Sequence, residues 1–123
     1  MIRIAKDDVL RGLKRCKRIA KQDLLASSLT DNPHYWNVQA HTRREYYDVF
    51  MKIIEQSGVE QAYQQAIRWY AALPPCIFTQ DMDPNPKTSG TRQALEVFFS
   101  ILGVSREEAL KARAEANLAW VGV

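Results

Sequence analysis

Apolar side chains in this chain recur at three- and four-residue intervals in five separate stretches, and none of useful length alternates apolar and polar residues as a half-buried strand does. Helices are therefore the elements that the sequence can bury. Each stretch is bounded by a capping residue or by a proline or glycine stop, and no Asn-Gly or Asp-Gly pair offers a tight hairpin turn. The expected fold is all-α: a single compact helical bundle of about five helices spanning residues 1–123, with one long Pro-rich loop. A domain of this length buries roughly two-thirds of the surface of its unfolded chain, so it needs neither disulfides nor metal to hold a core.

The first helix is expected to start at Asp7 or Asp8, either of which can cap, and to run to about Ser27. Val9, Leu13, Cys16, Ala20 and Leu24 fall on one stripe of it, with Leu10 and Ile19 widening that stripe on either side. Asn32-Pro33 opens a second helix, because asparagine caps well and proline suits the first helical position. That helix extends to about Gln56, with Tyr46, Phe50, Ile53 and Ile54 at core spacing. Its first half puts Gln39, Thr42 and Arg43 on the same stripe, so either the helix breaks near Ala40 or this end lines something polar.

A third helix over about Val59 to Leu73 buries Val59, Ala62, Tyr63, Ala66, Ile67, Tyr70 and Leu73 and stops at Pro74-Pro75. Residues 62–74 are similar in their small and aromatic alternation to the second helix of a tetratricopeptide repeat. The alanine and leucine after Tyr70 arrive one position early, however, and no copy recurs about 34 residues away. They read instead as a closely packed bundle helix. Residues 74–90 hold four of the five prolines and read as irregular, with 75–89 the least protected part of the chain. The fourth helix, about Thr91 to Leu102, packs Leu95, Phe98, Phe99 and Leu102. Ser105 and Glu108 have the spacing of a capping box and open a fifth helix that runs to about Trp120.

Charge is the main functional signal. The net charge is only +3, yet residues 1–21 carry eight Lys and Arg against two Asp, while the rest of the chain carries nine against twelve acids. Arg11, Lys14, Arg15, Lys17, Arg18 and Lys21 occupy an arc of roughly 160° opposite the apolar stripe of the first helix. They are the candidate partner-binding residues, and their sign asks for an anionic partner. The longest apolar run is Trp69 to Leu73, far below the roughly 20 residues of a membrane span, so no membrane association is expected. Met1 to Asp8 has no apolar signal core, and the two cysteines, Cys16 and Cys76, are not in a C-x-x-C pair. A cytoplasmic protein with reduced thiols is expected.

The remaining motifs carry less. His34, His41 and Glu45 share one helix at spacings of seven and four but lack a metalloprotease pattern or a third histidine, so no metal site is assigned. Asp81-Met82-Asp83-Pro84-Asn85 alternates carboxylates as a calcium loop does, yet no Glu closes it, and it reads as a solvated turn. Ser89-Gly90-Thr91 beside Lys87 has the composition of an anion-binding helix start without a Walker pattern. Cys16 sits among Lys and Arg, a setting that lowers a thiol pKa, but no nucleophile, base and orienting group come together as a trio. No cofactor and no catalytic residue is assigned.

The expected function is that of a small helical macromolecular-interaction protein, of regulatory, assembly or inhibitor type, docking on another protein. The aromatics Trp36, Tyr47, Trp69 and Trp120 lie outside the clearest core positions and are candidate contact residues. The alternative is nucleic-acid binding through the basic helix, with phosphates as the contacted groups. A second copy of the chain is also an admissible partner.

Overall fold

The computed structural model describes residues 2–74 and 83–121, with side chains described through residue 117. Five helices follow one another: α1 (Lys6–Ala26), α2 (Pro33–Ser57), α3 (Val59–Ala72), α4 (Pro86–Ile101) and α5 (Arg106–Val121). A 3-10 turn, Ser27–Leu29, closes α1, and no strand occurs among the described residues. The all-helical bundle expected from the periodicity is the observed architecture.

The helix ends follow local chemistry. Asn32 caps α2 by accepting a bond from the Tyr35 N–H, with Pro33 next in line. Gly58, at φ +93°, turns the chain directly from α2 into α3, a backbone region that glycine enters without steric penalty. Ser105 caps α5 at the spacing of a capping box: its hydroxyl accepts the Glu108 N–H and donates to the Glu108 carboxylate, both at 3.1 Å, so the carboxylate returns to the hydroxyl and not to the Ser105 N–H. At the start of α1 the cap is Ala5, not Asp7 or Asp8. Both aspartates lie inside the first turn, where their charge suits the positive end of the helix.

The long irregular stretch is shorter than its composition suggests. Asn85 accepts bonds from the Lys87 and Thr88 N–H groups and Pro86 takes the first position, so α4 begins five residues before Thr91. The same Asn-Pro signal that opens α2 opens α4. Ser89, Gly90 and Thr91 are therefore interior to a helix and form no anion-binding helix start. Residues 75–82, and with them Cys76 and the first part of the stretch 75–89 expected to be least protected, lie outside the described residues, while residues 86–89 of that stretch are helical.

Helix α2 is the hub, contacting α1, α3 and α4, while α5 packs chiefly on α3. One continuous core gathers Val9 and Leu13 from α1, Phe50 and Ile54 from α2, Ile67 and Tyr70 from α3, and Leu95, Phe98 and Phe99 from α4. Phe50 and Phe98 stack at 4.2 Å, tying α2 to α4, and the Phe99 ring meets Tyr63 and Tyr70 of α3 edge-on. Aromatic faces and edges thus join the three central helices.

Helix α2 does not break at Ala40. Its amino-terminal half is buried against α1 and α4 with polar side chains inside: Gln39, Thr42 and Arg43 are all buried. Each has a partner, as interior polar groups require. Arg43 pairs with Asp23 of α1, the Gln39 amide donates to Gln93 of α4, and Thr42 donates to the Val38 carbonyl at 2.8 Å. Gly90 of α4 permits this crossing, since a Cβ there would stand 2.6 Å from the Gln39 carbonyl oxygen.

A second polar cluster joins the chain on either side of residues 75–82. The Arg92 guanidinium donates to the Asp83 carboxylate at 3.2 Å and to the Pro74 carbonyl at 2.6 Å, and the Tyr35 hydroxyl donates to the Asp83 carbonyl. Asp83 is thus a half-buried structural residue and not part of a solvated turn, because Arg92 needs its charge compensated inside the fold. Arg113 of α5 donates to the Leu73 carbonyl at 2.6 Å and covers the Tyr70 ring.

Candidate functional site

The sequence-derived candidate is the outer face of α1. Val9, Leu13 and Ala20 are fully buried and set the orientation of the helix, which leaves Arg11, Lys14, Arg15, Arg18 and Lys21 exposed. These five side chains share one side of the helix by angular count. Arg11 reaches Asp8 at 3.7 Å, a loose surface pair that adds little. Among the described residues, no carboxylate lies within ion-pair distance of Lys14, Arg15, Arg18 or Lys21. Lys17 behaves differently. It turns toward α2 and pairs with Asp48 at 2.7 Å, so its charge is spent within the fold.

Apolar side chains extend this surface. Leu25, four residues after Lys21 and seven after Arg18, lies within the basic arc and is 72% exposed. Leu29, in the 3-10 turn that follows, is 87% exposed. Ile19, expected to widen the buried stripe, is largely exposed beside Arg15. The cause is the asymmetric neighbourhood of α1, which packs extensively on α2 and only slightly on α4, so one flank of its apolar stripe is uncovered. Leu25 was findable on a helical wheel, where it falls among the cations. Leu29 had no such signal, because it lies beyond the α-helical register.

The aromatic candidates are placed elsewhere. Tyr47 is buried between α1 and α2, near Cys16 and Arg43, and is a core residue. Trp69 packs against Tyr46 and Phe50, and Trp36 sets its ring edge-on to Tyr35. The Trp120 side chain lies outside the described residues. Trp69 and Tyr47 thus serve the interior, Trp36 lines a cavity between α1, α2 and α4, and the exposed apolar side chains beside the basic face are aliphatic.

His34, His41 and Glu45 are exposed on α2, and among the described residues no group of three or more His, Cys, Asp or Glu side chains is assembled for a metal ion. Burial pushes the Cys16 thiol above its ordinary pKa, and the neighbouring Arg15 and Arg43 oppose this only in part. The basic setting that lowers a thiol pKa in an open site is here outweighed by desolvation.

No described helix is long and apolar enough to cross a membrane. No known family, no curated protein and no solved structure matches the chain.

Proposed function

We propose that this protein is a helical docking module that binds an acidic protein surface through the outer face of α1. The observation that carries the reading is the succession of two unlike surfaces along α1 and the turn that closes it: four exposed cations without an ion-paired acid among the described residues, then exposed Leu25 and Leu29. Cations alone suit any polyanion and steer it at long range. Exposed leucines gain free energy only where a partner removes them from water, which a phosphate backbone does not do. An interface with a charged rim and an apolar centre fits both features.

Nucleic-acid binding through the same cations is the second reading, favoured by their spacing along one helix face. Two variants separate the readings. Replacing Lys14, Arg18 and Lys21 together by Glu reverses the charge at exposed positions and should leave the melting temperature within about 5 °C of the parent. Replacing Leu25 and Leu29 by Ser removes the apolar part and leaves every cation in place.

In nuclease-treated native lysate, a protein partner should be lost from both variants. In untreated lysate, a nucleic-acid partner should be lost from the charge variant alone and should weaken steeply with salt. Equal recovery of every partner by parent and both variants at low salt would remove α1 as the interaction surface.

A further inference from the structure

At the carboxyl end of α1, a cavity of about 270 Å³ opens between that helix, the amino-terminal half of α2, and α4. Its floor is polar and buried: Gln39 is 2% exposed and the Arg43 side chain 6% exposed. Asp23, Thr30 and Gln93 stand at its exposed mouth, and the half-buried Trp36 contributes an aromatic wall. The volume is at or below the smallest of ordinary ligand pockets, about 300 Å³, and so suits a small molecule.

The guanidinium at the floor keeps one unpartnered donor among the described residues. Asp23 holds Arg43 through an Nη2 to Oδ2 contact of 2.5 Å and the Tyr47 phenol lies beside the same guanidinium, whereas the Arg43 Nε is buried with no hydrogen-bond partner among the described residues. Nε and Nη2 form one edge of the guanidinium fork, whose spacing matches the two oxygens of a carboxylate. Leaving a buried donor of a charged group unmade is costly, and a carboxylate placed across both donors removes that cost. Asp23 does not prevent this. Its side chain is 54% exposed, so it can turn into water when displaced.

We propose that this cavity binds a small organic carboxylate with a flat apolar body, the carboxylate replacing Asp23 on the Arg43 fork and the body lying along Trp36. One buried cation at the floor balances one negative charge, which favours a monocarboxylate over a phosphate dianion. The Gln39 amide, already donating to Gln93, keeps a carbonyl oxygen for a ligand donor, and Gln93 keeps its amide N–H groups. The proposal does not rest on the docking reading of α1, since none of the cations assigned there lines the cavity.

Benzoate is the test ligand, with neutral benzamide, inorganic phosphate and a capped glutamyl peptide as comparisons, followed by nitrogen-15 NMR of the full chain. Benzoate should shift the Arg43 Nε–H and Trp36 indole resonances saturably, benzamide and phosphate should not, and the peptide should bind about tenfold more weakly. Asp23→Asn removes the competing carboxylate and should tighten benzoate binding about threefold to tenfold. Trp36→Ala should weaken it while the chain stays folded, and Arg43→Lys should abolish it. Absence of saturable shifts, equal response to benzoate and benzamide, or unchanged affinity in a folded Asp23→Asn variant would overturn the proposal. Tighter binding of the peptide than of benzoate would overturn the small-molecule assignment and make the cavity a subsite for an acidic protein side chain. Benzoate binding retained by the α1 charge variant while it loses its macromolecular partner would separate this site from the docking face.

Discussion

Two glycines in helices have opposite consequences, and the difference lies in what surrounds each one. At Gly90 a Cβ would meet the Gln39 carbonyl oxygen at 2.6 Å and the Thr42 Cβ at 2.8 Å, backbone and near-backbone atoms that cannot step aside. At Gly12 it would meet only the end of the Ile101 side chain, at 3.2 Å. Glycine-to-alanine in a helix interior ordinarily gains about 1 kcal/mol from propensity. Gly90→Ala should nevertheless destabilise by about 1–3 kcal/mol through overpacking, while Gly12→Ala should be neutral or slightly stabilising. Urea denaturation of both variants measures the contrast, and equal midpoints would contradict the close α2–α4 crossing. Arg92 offers a second residue-scale test. Its side chain and that of Asp83 are mostly buried, so Arg92→Met strands a carboxylate and the Pro74 carbonyl together. The expected loss is about 3 kcal/mol. Arg92→Lys keeps the charge but cannot span both acceptors, and should fall between the parent and Arg92→Met.

At the scale of the element, caps set where helices begin, and the cap at Asn85 decides how much chain α4 recovers from a proline-rich stretch. Asn85→Ala leaves the Lys87 and Thr88 N–H groups without their side-chain acceptor and should cost about 1 kcal/mol, whereas Asn85→Asp or Asn85→Ser should retain most of it. Loss of amide-exchange protection confined to the first turn of α4 would accompany the change. This element also shows what was legible in the sequence. Periodicity and stops place all five helices, and the cap of α4 was present as Asn85-Pro86 but obscured by the crowd of prolines and by Gly90. The polar stripe of α2 was legible as an anomaly; its resolution was not, because Arg43 finds Asp23 twenty residues away on another helix. The same limit explains Tyr47 and Ile19. A wheel ranks residues within one helix, whereas the width of the buried arc depends on how many neighbours a helix has: α2 has three, and α1 leans mainly on one. The basic face of α1 was readable because exposed charge needs no neighbour to explain it. Its withdrawn member, Lys17, was not, since Asp48 comes from α2.

Across the whole molecule, the interior wraps phenol and thiol groups in several places at once, and this links the packing of α2 to alkaline stability. Burial is the main cause that raises the pKa of Cys16, Tyr47, Tyr63 and Tyr70, and it pushes Tyr47 up to about 12 from an ordinary 10. Around Tyr47, Cys16 and Asp23 add to the rise while Arg43 opposes it. A raised acid pKa means that the folded state holds its proton more tightly than the unfolded chain. The resulting stability is fully present below the unfolded pKa and is lost as pH climbs through the folded one. The chain should therefore lose stability progressively above pH 9, where Cys16 begins to matter, and most steeply between pH 10 and about 12, where Tyr47 titrates. Tyr47 alone should contribute on the order of 2 kcal/mol to that fall. Tyr47→Phe removes the titrating group while keeping the ring between α1 and α2, so its stability should decline less steeply over the same interval. Urea midpoints at a series of alkaline pH values, read beside tyrosinate absorbance, measure both slopes. Parallel slopes for the parent and Tyr47→Phe would mean that water reaches this phenol, and with it the junction of α1 and α2 on which the exposed basic face and the Arg43 cavity both depend.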